Sequence, residues 1–341
     1  MQTPQQTPQQ TSSRVQEVAL GSQGLRVSAQ ALGTMGMSVW YGPRDDAESL
    51  ATLHQALDSG VTFFDTAEAY GPFRNEQLLA QVLNTRRAEA TVATKWGTDF
   101  APDGTSLGQD GSAEHCRRAI ERSLTHLGVE AVDVYYLHRV DPKVPVEESV
   151  GAMGELVTAG KVRFIGICEA APDTIRRAHA TFPLTAVQSE YSLFARDVER
   201  NGVLETVREL GIGFAGFSPL GRGVLSGAIT TPDDLAPDDA RRYLPRFSSE
   251  NLAANERLVD VVRSLGERLH VSASQIALAW VMAQGVVPIA GTKRRRYLQD
   301  NVAAAGVHLS PQHLAELDAV FTPDAVAGER DTAAGLRANY R

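Results

Sequence analysis

Thr62-Phe63-Phe64-Asp65-Thr66-Ala67-Glu68-Ala69-Tyr70 is the stretch on which the reading of this chain turns. Residues 61–64 form a short apolar, β-prone run that follows a helical pattern closed by Gly60, so they read as a buried strand. The carboxylate of Asp65 stands at the strand tip, and the phenol of Tyr70 follows shortly after. Two further runs end the same way: residues 91–94 lead into Lys95, and residues 132–137 into His138. As consecutive parallel strands, the three would bring Asp65, Lys95 and His138 to one rim beside Tyr70.

Outward from this stretch, strand-like and helix-like runs alternate. Residues 15–20 and 25–29 flank Gly21-Ser22-Gln23-Gly24 and predict an N-terminal β-hairpin. Expected strands cover 29–32, 62–64, 91–94, 132–137, 163–167, 186–188, 213–217 and 286–289. Expected helices cover 45–59, 75–86, 112–127, 146–159, 172–181, 199–210, 251–268 with 272–283, and 295–304. Gly60, Gly128, Gly160 and Gly211 stand where helices end, Pro172 at a first turn, and Asp45 and Ser112 at N-caps. Eight such units over this length match a single closed (β/α)8 barrel over residues 15–341 better than an open doubly wound sheet. The loops 97–111 and 225–249 exceed ordinary connections and are expected to overhang the barrel mouth.

Gly211-Ile212-Gly213-Phe214-Ala215-Gly216 matches G-x-G-x-x-G, the dinucleotide fingerprint, but it follows a helix and opens a strand, the reverse of the required context. It reads as a helix end running into a small-residue strand.

A hydrophobic share of 43% with 22% charged residues is that of a soluble globular protein, and a net charge of −8 excludes a general nucleic-acid binder. The two cysteines, Cys116 and Cys168, are too few for a disulfide framework and lack metal-ligand spacing, so no metal is expected. Cys116 reads as core and Cys168 as partly exposed. Residues 1–14 carry neither a basic start nor an apolar core and read as a disordered leader. With no membrane-spanning run, a cytoplasmic protein is expected.

A phenol donates a proton poorly at neutral pH, and a nearby ammonium lowers its pKa from about 10. Lys95 could supply that charge, Asp65 could hold Lys95, and His138 could donate to a substrate oxygen or relay a proton. Singly, Asp65 reads equally as a loop N-cap, Lys95 as a surface charge and His138 as a packed core residue. Jointly they describe a general acid aimed at a carbonyl.

The motifs G-V-T-F-F-D-T-A-E-A-Y-G, N-E-x-L-L, T-K at Lys95, D-V-Y-Y-L-H at His138, G-K-V-R-F-I-G, A-V-Q-S-E-Y and F-S-P-L-G-R-G resemble those of the aldo-keto reductase superfamily, in matched order and spacing from about residue 15 onward. The resemblance implies a catalytic tetrad: Tyr70 as general acid, Lys95 lowering its pKa, Asp65 supporting Lys95, and His138 orienting the carbonyl. It further implies NADP(H) extended across the barrel mouth, a small-molecule carbonyl substrate, and reduction of an aldehyde or ketone with hydride from the nicotinamide C4. Gly33, Thr34 and Met35 would border the nicotinamide ribose, with Asp65 also among the cofactor contacts. Gln188 would bond the carboxamide, Phe217 would stack on the ring, and Ser218, Pro219, Leu220 and Gly221 would wrap the pyrophosphate. Gly291, Thr292, Lys293 and Arg294 would hold the adenosine 2′-phosphate, with Asp300 and Asn301 near the adenine. Cys168-Glu169 departs from the family's usual Ser or Asn at the carboxamide.

Arg295 and Arg296 read as a solvated helix face, and Tyr135 and Tyr136 as packing. Trp40, Tyr41, Phe73, Trp96, Arg139, Tyr191 and Phe194 are candidates to line the substrate pocket together with His138. Two alternatives stay open: a cofactor-binding regulatory or sensor subunit with weak or no turnover, and a barrel aldolase using Lys95 as a Schiff base. The resemblance is compatible with a monomer or a homo-oligomer.

Overall fold

The computed structural model describes residues 14–340. The leader expected over residues 1–14 lies, except for Arg14, outside the described residues. Twelve strands are formed among them: β1 (Glu17–Ala19), β2 (Arg26–Ser28), β3 (Ala31–Gly33), β4 (Phe63–Asp65), β5 (Thr91–Trp96), β6 (Thr98–Phe100), β7 (Ser106–Gln109), β8 (Val132–Leu137), β9 (Val162–Cys168), β10 (Ala186–Glu190), β11 (Gly213–Phe217) and β12 (Val287–Gly291). The strands β3, β4, β5, β8, β9, β10, β11 and β12 close in that order into a parallel barrel, the last pairing with the first. The helices are α1 (Asp46–Asp58), α2 (Arg74–Arg86), α3 (Ala113–Leu127), α4 (Val146–Thr158), α5 (Pro172–Thr181), α6 (Asp197–Arg200), α7 (Val203–Glu209), α8 (Ser249–Leu269), α9 (Ala273–Ala283), α10 (Arg295–Ala303), α11 (Pro311–Val320) and α12 (Ala333–Arg337). The (β/α)8 barrel with an N-terminal hairpin is thus the fold of the chain.

Helix ends follow the expected chemistry. Asp45 and Ser112 accept backbone N–H bonds from Glu48 and His115 at 3.0 and 3.2 Å, satisfying donors that a helix start leaves free. Gly60 and Gly128 take φ of +84° and +66°, the left-handed conformation that costs glycine least. Alternation along each strand then sorts side chains between two cores. Phe63, Ala93, Val134 and Tyr136 fill the barrel, whereas Phe64, Val92, Tyr135 and Leu137 pack outward beneath the helices. Tyr136 has room because Gly166 opposes it: a Cβ there would meet the Tyr136 ring at 2.5 Å.

The hairpin β1–β2 closes the barrel floor. Leu20, Leu25 and Val27 join the inner core, and Ser22 N donates to Gly211 O at 2.9 Å. In the G-x-G-x-x-G run, Gly211 follows α7 with φ +66° and Gly213 opens β11, so no phosphate loop is formed.

Three features depart from expectation. The loop 97–111 contains an antiparallel pair, β6–β7, with a register shift at Asp99/Phe100. The helix expected over 199–210 is broken into α6 and α7 at Gly202, whose φ of +85° does not continue a helix. Beyond α10, α11 packs on α8, and the stretch that follows returns to the barrel mouth.

Candidate active site

Asp65 ends β4 and Lys95 lies one residue from the end of β5, both on the inward-facing phase and both buried. Lys95 Nζ donates to Asp65 Oδ1 at 2.5 Å and to Thr66 O at 2.8 Å, and lies 3.3 Å from the Tyr70 hydroxyl. The other Asp65 oxygen, Oδ2, accepts from Gln188 Nε2 at 2.8 Å. His138 continues the β8 ladder, its N–H donating to Trp96 O at 2.8 Å, and its ring stands edge-to-face on Tyr70 with centroids 6.0 Å apart. The indole of Trp40 makes a second edge contact with Tyr70 at 6.1 Å. The four expected tetrad residues therefore converge.

Burial governs the electrostatics. It raises the Tyr70 pKa above its ordinary value, outweighing the Lys95 ammonium, which pulls it down. The lowered phenol pKa expected from the sequence is thus not the net outcome, because desolvation of the phenolate is the larger effect. Burial also opposes the Lys95 charge, but the Asp65 carboxylate holds Lys95 above its ordinary pKa. Burial, with help from Arg139 and Lys95, drives His138 well below the usual histidine value, so its imidazole is neutral.

A family model for the aldo/keto reductase family matches residues 31–321, most of the chain. The chain belongs to the aldo/keto reductase family. Solved structures agree. A glycerol dehydrogenase from Gluconobacter oxydans is 26% identical with a TM-score of 0.82, over 89% of this chain and 94% of that one. A thermostable aldo-keto reductase solved with the inhibitor epalrestat is 26% identical with a TM-score of 0.72, over 89% of this chain and 99% of that one. Membership supports an oxidoreductase acting on carbonyls of small molecules with a nicotinamide cofactor. No helix among the described residues of this aldo/keto reductase is long and apolar enough to cross a membrane.

Several expected contacts are already spent within the protein. Thr34 is buried, its Oγ1 lying 2.8 Å from Asp65 O and 2.5 Å from Asn75 Oδ1, while Gly33 and Met35 stay half-buried at the rim. Asp300 accepts from Ser272 Oγ at 2.9 Å and from Gln275 Nε2 at 2.8 Å, fastening the start of α9, and Asn301 is buried. Cys168, expected to be partly exposed, is buried inside the barrel, and burial pushes its thiol up to about 12. Phe217 is half-buried at the end of β11, Ser218 takes φ +52°, and Pro219, Leu220 and Gly221 follow at the rim.

The pocket list needs correction. Trp96 is fully buried on the outward phase of β5 and stacks on Tyr135 at 6.1 Å, because Lys95 beside it takes the inward phase. Tyr191 and Phe194 are likewise buried, against Trp280 and Phe321. Trp40, Tyr41, Phe73 and Arg139 retain exposure.

A groove of ≈ 550 Å³ between α1 and α10 is lined by Asp45, Glu48, Gln55, Lys293, Arg294, Arg295, Arg296 and Gln299. Lys293 Nζ donates to Tyr41 O and Pro43 O at 2.6 and 2.8 Å. Arg295, read as solvated, pairs with Glu48 at 2.9 Å, and the same carboxylate accepts Arg295 N–H at 2.9 Å; Arg296 lies over Tyr297.

Two elements escaped the sequence reading. Asn75 is a buried hub: Oδ1 accepts from Thr66 Oγ1 at 2.6 Å, and Nδ2 donates to Thr34 O at 2.9 Å and Ser38 Oγ at 2.8 Å, tying the β3 and β4 exits together. Its place in N-E-x-L-L was the available signal. At the other side of the mouth, Arg330 is buried between two strand ends, donating to Glu169 Oε2 at 2.6 Å and to Glu190 Oε2 at 3.1 Å. Tyr340 N–H donates to Glu169 O at 2.5 Å, and Arg222 also pairs with Glu190 at 3.0 Å. Glu169 thereby fastens the C-terminal segment.

Proposed function

We propose that the protein reduces an aldehyde or ketone to the alcohol with NADPH, Tyr70 protonating the carbonyl oxygen. The observation that carries this reading is the buried chain of contacts from Asp65 through Lys95 to the Tyr70 hydroxyl, flanked by the His138 and Trp40 rings.

The residues present fit a 2′-phosphorylated nicotinamide dinucleotide. Glu48 already shows that the first turn of α10 takes an anion on its backbone N–H, as a helix start does for phosphate, and Lys293 and Arg294 stand beside it. These two would hold the 2′-phosphate, Ser218 to Gly221 the pyrophosphate, and Phe217 the ring. Bound there, NADPH supplies the hydride for the carbonyl carbon. Tyr70, kept protonated by burial, holds the proton at its hydroxyl and gives it to the oxygen. Lys95, fixed and charged, stabilises the phenolate left behind. The neutral His138 imidazole orients the oxygen by a hydrogen bond. An amine held charged is a poor carbonyl nucleophile, so the Schiff-base alternative has no support in this geometry.

The protein is one barrel, residues 15–341, in this reading, with a cytoplasmic setting. Its test is NADPH oxidation with an aromatic aldehyde, beside fluorescence titrations with NADPH and NADH. Turnover lost by a factor of ~100 or more in Tyr70→Phe, with NADPH binding kept, supports the assignment. Tight binding without turnover across a broad aldehyde panel would overturn it in favour of a sensor subunit.

A further inference from the structure

The acids at the strand ends around the mouth are all matched. Asp65 is taken by Lys95 and Gln188, Glu169 by Arg330, and Glu190 by Arg330 and Arg222. Asp141, two residues beyond Arg139, accepts the backbone N–H groups of Gly111 at 3.0 Å and Lys143 at 2.9 Å. Arg139 stands outside this matching. Arg139 is half-buried and directly follows His138 at the exit of β8. Its Nη1 donates to the His138 carbonyl at 2.7 Å, and its other donors meet no acceptor among the described residues. No carboxylate of the described residues pairs with it. The bond to the His138 carbonyl keeps the guanidinium against the His138 backbone, at the C-terminal rim of the barrel.

A guanidinium presents five donors in a fork that matches a carboxylate, and partial burial sharpens its need for a counter-charge. Against the neighbouring His138 ring stands Tyr70, which the exposed Trp40 also touches. The mouth therefore offers a hydrogen-bonding centre, an apolar wall and an unmatched cation.

Building on the reductase reading, we propose that Arg139 is the specificity residue for an anionic substrate class: aldehydes or ketones that carry a carboxylate, seated with the carbonyl at Tyr70 and the carboxylate on the guanidinium. The interaction is a charge-assisted hydrogen-bonded pair, and no bond is made or broken at Arg139.

The test compares matched pairs with the full-length protein: 4-carboxybenzaldehyde against methyl 4-formylbenzoate, and 4-oxobutanoate against butanal. The expected kcat/KM ratio favours the carboxylate member by roughly tenfold or more. In Arg139→Met that ratio falls toward one, and Arg139→Lys restores part of it. A ratio near one in the unaltered protein, or a preference that persists in Arg139→Met, overturns the proposal. Calorimetric binding of benzoate against benzamide needs no turnover. Benzoate binding that disappears in Arg139→Met upholds the role of Arg139 even where absent turnover sinks the reductase reading; equal binding of the two compounds overturns it.

Discussion

Gln188 and Asp65 meet across the full width of the barrel: they stand on β10 and β4, four strands apart in a ring of eight, and Gln188 Nε2 donates to Asp65 Oδ2 at 2.8 Å. The carboxylate is thus shared, one oxygen with Lys95 and the other with Gln188. Replacing Gln188 with Leu leaves Oδ2 buried without a partner, which costs about 1–3 kcal/mol. Urea unfolding of Gln188→Leu is expected to show that loss, and a midpoint equal to that of the unaltered protein would contradict it.

The pH profile of carbonyl reduction follows from two opposite shifts. His138 titrates well below the usual histidine range and Tyr70 above its ordinary value. Turnover should therefore stay flat through neutral pH and fall only in the alkaline range, as the phenol loses its proton. A limb near pH ~6.5, the ordinary histidine value, would count against a neutral His138.

Lys293 and Arg294 directly precede α10 beside the groove shared with α1. Lys293→Met and Arg294→Met should each weaken NADPH binding roughly tenfold, the effect of one lost charged contact to phosphate, and leave NADH binding nearly unchanged. Fluorescence titration reads both. An equal loss for the two nucleotides would mean that these side chains do not see the 2′-phosphate.

Glu68, in the same turn as Tyr70, is buried against Arg122 at 3.2 Å, and burial raises it to about 8 despite that cation, with Glu76 and Asp99 adding to the rise. A carboxyl raised on folding binds more protons in the native state. Its contribution to stability is therefore complete below about pH 4.3, declines as pH climbs, and is gone above about pH 8. In Glu68→Gln that slope should vanish, so the variant gains on the unaltered protein between pH 5 and pH ~8.5 in thermal unfolding. Parallel stability curves for the two proteins would refute the assignment.

The barrel was legible because its determinants are local. Period-two runs, helix periodicity and terminal glycines recur along the chain, and the strand-end positions of Asp65, Lys95 and His138 follow from them. Trp96 shows where local reading failed avoidably: once Lys95 is placed inward, the next residue in the strand must face outward. The phenol's net shift could not be read, since it depends on how much water the completed fold excludes. The pairing of Arg330 with Glu169 is a different case. It joins residues 161 positions apart, through a segment without periodicity, and only the assembled tertiary structure brings them together.

That pairing also bears on when the protein is finished during synthesis. Every barrel strand has been made once Gly291 has left the ribosome, so the wall can close at that stage. The rim carboxylates Glu169 and Glu190 then still lack Arg330, the cation they share. A nascent chain can thus be folded in outline and electrostatically incomplete at its mouth, and a stop codon placed ahead of residue 330 would leave it so permanently.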